Sequence, residues 1–125
     1  MGEAENRRAV ESLFEAIGAS DVERFHDQFH DDSVLEFPQS GKRIVGDQNR
    51  RQVYRSFPGR PHVQRILTGG DLAVLEADVD YGDGVDWRAV FICELHAGKI
   101  QRLRAYWAEP FKPVSRKGTT DPREP

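Results

Sequence analysis

Three carboxylates alternate with apolar residues along VLEADVDYG, residues 74–82. Glu76, Asp78 and Asp80 would share one face of a β-strand, because successive side chains of a strand point to opposite sides. Carboxylates crowded in a poorly solvated site cannot all stay ionised, so one keeps its proton beside a neighbour that acts as a base. Such a pair suits enolisation, cyclisation or the addition of water.

The same alternation has a second interpretation. Leu75, Ala77 and Val79 form the opposite face of this strand. If they face the core, the carboxylates form a solvated surface and have no catalytic part. Periodicity alone favours this second interpretation, because apolar faces pack inward.

Aromatic residues on the later strands could form the wall of a ligand site. Trp87 and Phe91 fall on one face of their strand, and Trp107 lies on the last strand. Large aromatic rings suit a site for an aromatic or polycyclic ligand, although ordinary core packing is the alternative, above all for Phe91. Tyr54 and Phe57 would close the rim, with Tyr54 either a hydrogen-bond donor to the ligand or a core residue.

The sequence HDQFH resembles the helical zinc motif H-E-x-x-H, with Asp27 in place of the Glu. Phe25 and Phe29 would take the inward side of this short helix, so His26 and His30 are expected to be exposed near its end rather than to bind metal. No metal site is therefore predicted.

Two further groups are interpreted as structural. Asn49, Arg50 and Arg51 form a small basic patch that we expect on the solvated side of a helix. Cys93 is the only cysteine, which excludes an internal disulfide, and we expect it to be a buried, unreactive thiol.

The elements that position these residues follow from the apolar periodicity. Residues 4–18 predict a helix with a single apolar stripe. Ser20 is predicted to cap a second short helix, and Asp47 a third that ends at Pro58-Gly59. A short strand is expected at 33–37. Four further strands with hairpin turns between them are expected at 62–68, 71–81, 85–96 and 99–109.

Composition limits the function classes. The chain has 125 residues, 31% of them charged, and a net charge of −3. A single folded domain is expected, and the acidic balance gives no support to nucleic-acid binding. No apolar run is long enough to span a membrane and the start carries no signal peptide, so a cytoplasmic location is expected.

Three segments together resemble the SnoaL-like proteins of the nuclear-transport-factor-2-like superfamily: HDDSVLEFP (30–38), IVGDQNRRQVYRSF (44–57) and HAGKIQRLRAYWAEPF (96–111). The resemblance implies an α+β fold, in which a cone-like curved antiparallel sheet is wrapped by three N-terminal helices. The sheet would comprise a four-stranded meander and one short strand. The SnoaL-like domain would span 1–111, followed by an extended or disordered tail at 112–125.

The resemblance also implies roles for individual residues. In the limonene-epoxide-hydrolase-like members, Asp80 would match the water-activating Asp, Asp78 an Arg and Glu36 an Asn that helps hold the water. Ala105 stands where those members carry a second catalytic Asp. Asp80 would then be the base, with Asp78 or Glu36 as its protonated partner.

Function and partners follow from the same resemblance. It implies cofactor-free acid/base catalysis on a small, largely apolar metabolite: isomerisation, cyclisation or water addition. A non-catalytic ligand-binding or dimerisation module of the same fold is the alternative. A homodimer through the convex sheet face is expected, which would carry the apolar side of 74–82, with no nucleic-acid or membrane partner.

Overall fold

The structure, a computed structural model, describes residues 2–111. It contains three helices and six strands. In chain order they are α1 (Glu3–Gly18), α2 (Val22–Asp27), β1 (Phe29–Phe37), β2 (Lys42–Val45), α3 (Asp47–Val53), β3 (Arg60–Gly69), β4 (Leu72–Asp80), β5 (Trp87–His96) and β6 (Lys99–Ala108). The predicted α+β class and its three helices are confirmed. The predicted tail, 112–125, lies outside the described residues.

The six strands form one curved, unclosed sheet in the order β2-β1-β6-β5-β4-β3. Strands β3 to β6 are the predicted antiparallel meander, and β1 pairs with β6 in parallel. Only one strand was predicted outside the meander, whereas the structure has two. Strand β2 escaped prediction because it is short and only Ile44 of its residues is buried.

Helix α1 covers one side of the sheet, which we call the inner face; the opposite side is the outer face. Val10, Leu13 and Phe14 are at most 6% exposed, so the predicted apolar stripe is the buried one. The helix packs against β3 and β4. Cys93 on β5 is also fully buried, as expected, and burial raises the pKa of its thiol to about 12.

Both predicted helix caps were displaced by one residue. Asp21 caps α2, its carboxylate accepting a hydrogen bond from the backbone N–H of Arg24, whereas Ser20 adopts a left-handed φ of 57°. Gly46, with φ of 85°, precedes α3, and Asp47 lies inside the first turn. In both cases a residue with positive φ turns the chain into the helix, and the acidic residue follows it.

Arg50 was predicted on a solvated patch, and this was wrong because its guanidinium is fully buried. It donates hydrogen bonds to His26 Nδ1 at 3.1 Å, to Ser33 Oγ at 2.7 Å and to Asp47 Oδ1 at 2.6 Å. The Phe29 ring lies 4.4 Å from the guanidinium carbon, a cation–π contact. A buried charge is tolerated here because hydrogen bonds and a carboxylate surround it.

His26 was predicted to be exposed, and the structure buries it to 2% exposure. Because Nδ1 accepts from Arg50, Nε2 carries the proton and donates to the Tyr54 carbonyl oxygen at 3.1 Å. Burial lowers the pKa of His26, which favours this neutral form. The two histidines of HDQFH also separate, because His30 already belongs to β1.

Candidate functional site

A cavity of about 230 Å³ lies between the helices and the inner face of the sheet. Residues from α1, α2, five of the six strands, the loop after α3 and the turn after β4 line it. They are Leu13, Phe14, Ile17, Phe25, Leu35, Phe37, Tyr54, Phe57, Pro58, Gly59, Pro61, Val79, Tyr81, Phe91, Leu103, Ala105 and Trp107. None of these side chains carries a charge. We call this space the central cavity.

The polar groups of the central cavity are two phenols and one indole. Burial, with a smaller effect of the nearby Tyr81, raises the pKa of Tyr54 to about 12. Burial also raises the pKa of Tyr81, while the adjacent indole N–H of Trp107 opposes that rise. That N–H is buried and has no partner with hydrogen-bond geometry among the described residues.

Trp107 is held in place from two sides. Its backbone N–H donates to Gln39 Oε1 at 2.6 Å, and its carbonyl accepts from Gln39 Nε2 at 2.5 Å. Its ring stacks on Phe37, with centroids 5.5 Å apart and an interplanar angle of 28°. The edge-to-face contact with Phe91 has centroids 5.8 Å apart. These contacts fix the direction of the indole N–H.

Of the five aromatic residues proposed for the site, four line the central cavity: Tyr54, Phe57, Phe91 and Trp107. Trp87 does not. Its indole N–H donates to Asp83 Oδ2 at 3.0 Å in the turn before β5. Its ring makes an edge-to-face contact with Tyr81, which does line the cavity.

The expectation that Asp78 and Asp80 project into the pocket was wrong. Leu75, Ala77 and Val79 are at most 6% exposed and occupy the inner face of β4, and Val79 itself lines the central cavity. Their opposite neighbours therefore lie on the outer face. The apolar side of this strand is covered by the helices, so it cannot be a subunit contact.

On the outer face the acidic residues pair with their cross-strand neighbours. Glu76 lies 2.6 Å from Arg65 on β3, and Asp78 lies 3.0 Å from Arg88 on β5. The side chains of Glu76 and Asp78 are 47% and 41% exposed. These are surface ion pairs on a strand face, a common arrangement of opposite charges across a sheet.

Asp80 and Glu36 also have structural partners. Asp80 Oδ1 accepts the backbone N–H of Gly82 at 2.7 Å, which stabilises the turn after β4. Glu36 on the outer face of β1 bonds Arg102 at 2.5 Å and lies 3.9 Å from Arg43. The structure therefore brings none of the three proposed catalytic carboxylates to the central cavity.

The profile of the SnoaL-like domain matches residues 10–103, which is most of the chain. The chain belongs to the SnoaL-like family. No protein of curated function matches it.

Solved structures agree with this assignment. A nuclear-transport-factor-2-like protein of unknown function from Burkholderia xenovorans LB400 is 32% identical, with a TM-score of 0.81; the match covers 90% of this chain and 89% of that one. A candidate ketosteroid isomerase from Kribbella flavida has a TM-score of 0.88 at 22% identity, covering 98% and 92%. An LEH-like epoxide hydrolase from M. tuberculosis has a TM-score of 0.73 at 23% identity, covering 85% and 84%. The last two show the fold alone.

The family resemblance aligned Asp80 with a catalytic residue that faces the cavity, whereas here its neighbours Val79 and Tyr81 line the cavity. A shift of one residue exchanges the two faces of a strand, so aligning Asp80 with a catalytic Asp turned the whole face inward. In this SnoaL-like protein Val79 and Tyr81 project to the inner side instead. Ala105, aligned with the second catalytic Asp, does line the cavity, but as a methyl group.

Several lining residues were not predicted. Phe25 and Phe37 were assigned only to packing or to strand 33–37, and Tyr81 was treated as part of an apolar outer surface. Pro58 and Gly59 were interpreted only as a helix stop, although this loop lies directly on β4. A Cβ on Gly59 would stand 2.6 Å from Tyr81 Cε1, so glycine is required for that approach.

The described part of the chain contains neither a group of metal ligands nor a membrane-spanning helix. Within residues 2–111, no three His, Cys, Asp or Glu side chains form a group that could hold a metal ion. Over the same residues no helix is long and apolar enough to cross a bilayer.

Proposed function

We propose that this SnoaL-like protein binds a small, largely apolar molecule in the central cavity. The observation that carries the proposal is the lining, which combines aliphatic and aromatic side chains and contains no charged group. Such a site holds its ligand mainly by burying apolar surface, which contributes about 0.8 kcal/mol for each buried methylene. A few polar groups then orient the ligand.

Cofactor-free catalysis is the second candidate, as isomerisation, cyclisation or water addition. It is supported by structural neighbours named as a candidate ketosteroid isomerase and an epoxide hydrolase. The chemistry needs a base, and the lining side chains in the described part of the chain include no carboxylate or imidazole. Tyr54, with a pKa of about 12, is a hydrogen-bond donor rather than a base at neutral pH. Ligand binding is therefore the function that the geometry supports best.

The proposal is tested by a substitution that fills part of the central cavity. Ala105 and Ala108 lie on the same strand, the first in the cavity wall and the second exposed at the strand end. Binding of naphthalene would be measured calorimetrically for the wild type, Ala105→Leu and the matched control Ala108→Leu. We expect Ala105→Leu to weaken binding at least about tenfold, equivalent to about 1.4 kcal/mol, while Ala108→Leu binds like the wild type. Equal binding by all three would overturn the proposal.

The catalytic candidate has its own test. The variant with Asp78→Asn, Asp80→Asn and Glu36→Gln keeps the size of each side chain and removes its charge. Because all three lie on the outer face or in its turn, we expect naphthalene to bind this variant as it binds the wild type. If the wild type is found to catalyse a reaction and this variant does not, the three carboxylates are catalytic after all.

A further inference from the structure

One polar group in the central cavity has no partner. The indole N–H of Trp107 is only a donor, and it is buried without an acceptor at hydrogen-bond geometry among residues 2–111. A buried donor without a partner destabilises the protein, so such groups are uncommon in folded proteins. The Gln39 clamp and the stacked Phe37 hold the indole in this position.

The Tyr81 hydroxyl lies close to this N–H. The Trp107 indole is near enough to Tyr81 to influence its ionisation, and Tyr81 in turn influences Tyr54. All three residues line the central cavity, whose other side chains are hydrocarbon. Trp107 and Tyr81 therefore place two hydrogen-bond donors near each other in an otherwise apolar space, which Tyr54 also lines.

We infer that the ligand of the central cavity carries a neutral hydrogen-bond acceptor, a ketone or similar carbonyl oxygen, which Trp107 and the adjacent Tyr81 bind. This inference rests on the proposed function. The remainder of the ligand is an aromatic or alicyclic body against Phe25, Phe57 and Phe91. A carboxylate is excluded from this class, because no cationic side chain of residues 2–111 lines the cavity to offset the loss of its hydration.

Three probes of similar shape separate the contributions: acetophenone, ethylbenzene and benzoate. Ethylbenzene reports the apolar cavity alone, acetophenone adds a neutral acceptor, and benzoate adds a charged one. Binding to the full chain would be followed by titration in ¹H–¹⁵N spectra, in which the indole signals of Trp87 and Trp107 report separately. Trp87, whose N–H is already bonded to Asp83, serves as the internal control.

We expect acetophenone to move the indole proton of Trp107 downfield, while ethylbenzene leaves it nearly unchanged and benzoate does not bind. Trp107→Phe should weaken acetophenone about tenfold and ethylbenzene by less than about twofold, whereas Trp87→Phe affects neither. The wild-type spectra test the inference even if Trp107→Phe fails to fold. If ethylbenzene binds and acetophenone shows no shift at Trp107, the inference is overturned and the proposed function stands. If no neutral probe binds, both fail.

Discussion

The Nε–H of Arg50 donates to Nδ1 of His26 over 3.1 Å, in the interior of the protein. This bond fixes the neutral tautomer of His26 and directs the Nε2 proton to the Tyr54 carbonyl. Since Tyr54 lines the central cavity, a buried polar cluster outside the cavity holds part of its wall. The cluster comprises Arg50, His26, Ser33 and Asp47.

Acid should destabilise the fold through His26. The pKa of His26 is lowered by burial, so the unfolded chain binds this proton more readily than the folded one. The contribution of His26 is fully present above its ordinary value near 6.5 and is lost as the pH falls through that value toward the folded pKa. We expect the free energy of unfolding to fall by up to about 1.4 kcal/mol per pH unit in this window.

Urea unfolding at pH 7.5 and pH 5.5 measures the effect. His26→Gln is the matched control, because Gln can accept from Arg50 and donate to Tyr54 but does not titrate. The loss of stability between the two pH values should be smaller in this variant. An identical loss in both proteins would show that His26 is not the group responsible.

Replacement of Arg50 should be costly even by lysine. Arg50→Lys removes the planar fork that reaches His26, Ser33 and Asp47 together, and it leaves a buried ammonium with fewer partners. We expect a loss of about 3–5 kcal/mol, the usual result of breaking a buried charged network. Arg51→Lys is the neighbouring control, since Arg51 is 39% exposed and should lose less than about 1 kcal/mol. Comparable losses in denaturant unfolding would contradict the structure.

A methyl group on Gly59 should disturb the cavity wall. It would approach Tyr81 Cε1 to 2.6 Å and Val79 Cγ1 to 2.8 Å, so the loop or the strand must move. We expect Gly59→Ala to cost about 1–3 kcal/mol and to weaken naphthalene binding. Gly69→Ala, whose added Cβ meets nothing within 4 Å, should have neither effect. Unfolding and binding measurements on both variants decide between local crowding and a general cost of losing glycine.

The homodimer predicted through the convex sheet face would use the outer face, which carries charged pairs rather than the apolar side of 74–82. Val90 and Ile92 are half-buried on the outer face of β5, among the charged pairs of the neighbouring strands. We expect a dimer in which this outer face is the contact, with Ile92→Arg shifting the protein to monomer in sedimentation experiments. Val53→Arg, at an exposed site on α3, should not change the mass. A monomeric wild type at micromolar concentration would contradict this prediction.

Local patterns predicted the fold well. The stripe that includes Val10 and Leu13 specified α1, and period-two alternation specified the meander, since both follow from which side of an element is buried. Burial of Arg50 could not be predicted in this way. Its partners His26 and Ser33 lie far away in sequence, and without them a buried arginine is strongly unfavourable.

The cavity wall shows the same division. Phe91 and Trp107 lie on the strand faces that alternation assigned to them, and both line the central cavity. Gly59 and Tyr81 were not predicted to line the cavity, because their position there depends on how the loop after α3 packs against the sheet. The acidic face was assigned to the pocket because the family resemblance was preferred to the periodicity. Burial of the apolar Leu75 turns Asp78 and Asp80 to the opposite face of the strand.

The absence of charge in the central cavity has a consequence for how the protein responds to its solution. A ligand held by uncharged side chains gains nothing from long-range attraction, so added salt should neither speed its entry nor weaken its hold. Between neutral pH and pH 9 no lining group titrates, since the pKa values of Tyr54 and Tyr81 are raised. Protonation of His26 in acid affects the stability of the scaffold, whereas between neutral pH and pH 9 the loading of the cavity follows the ligand concentration.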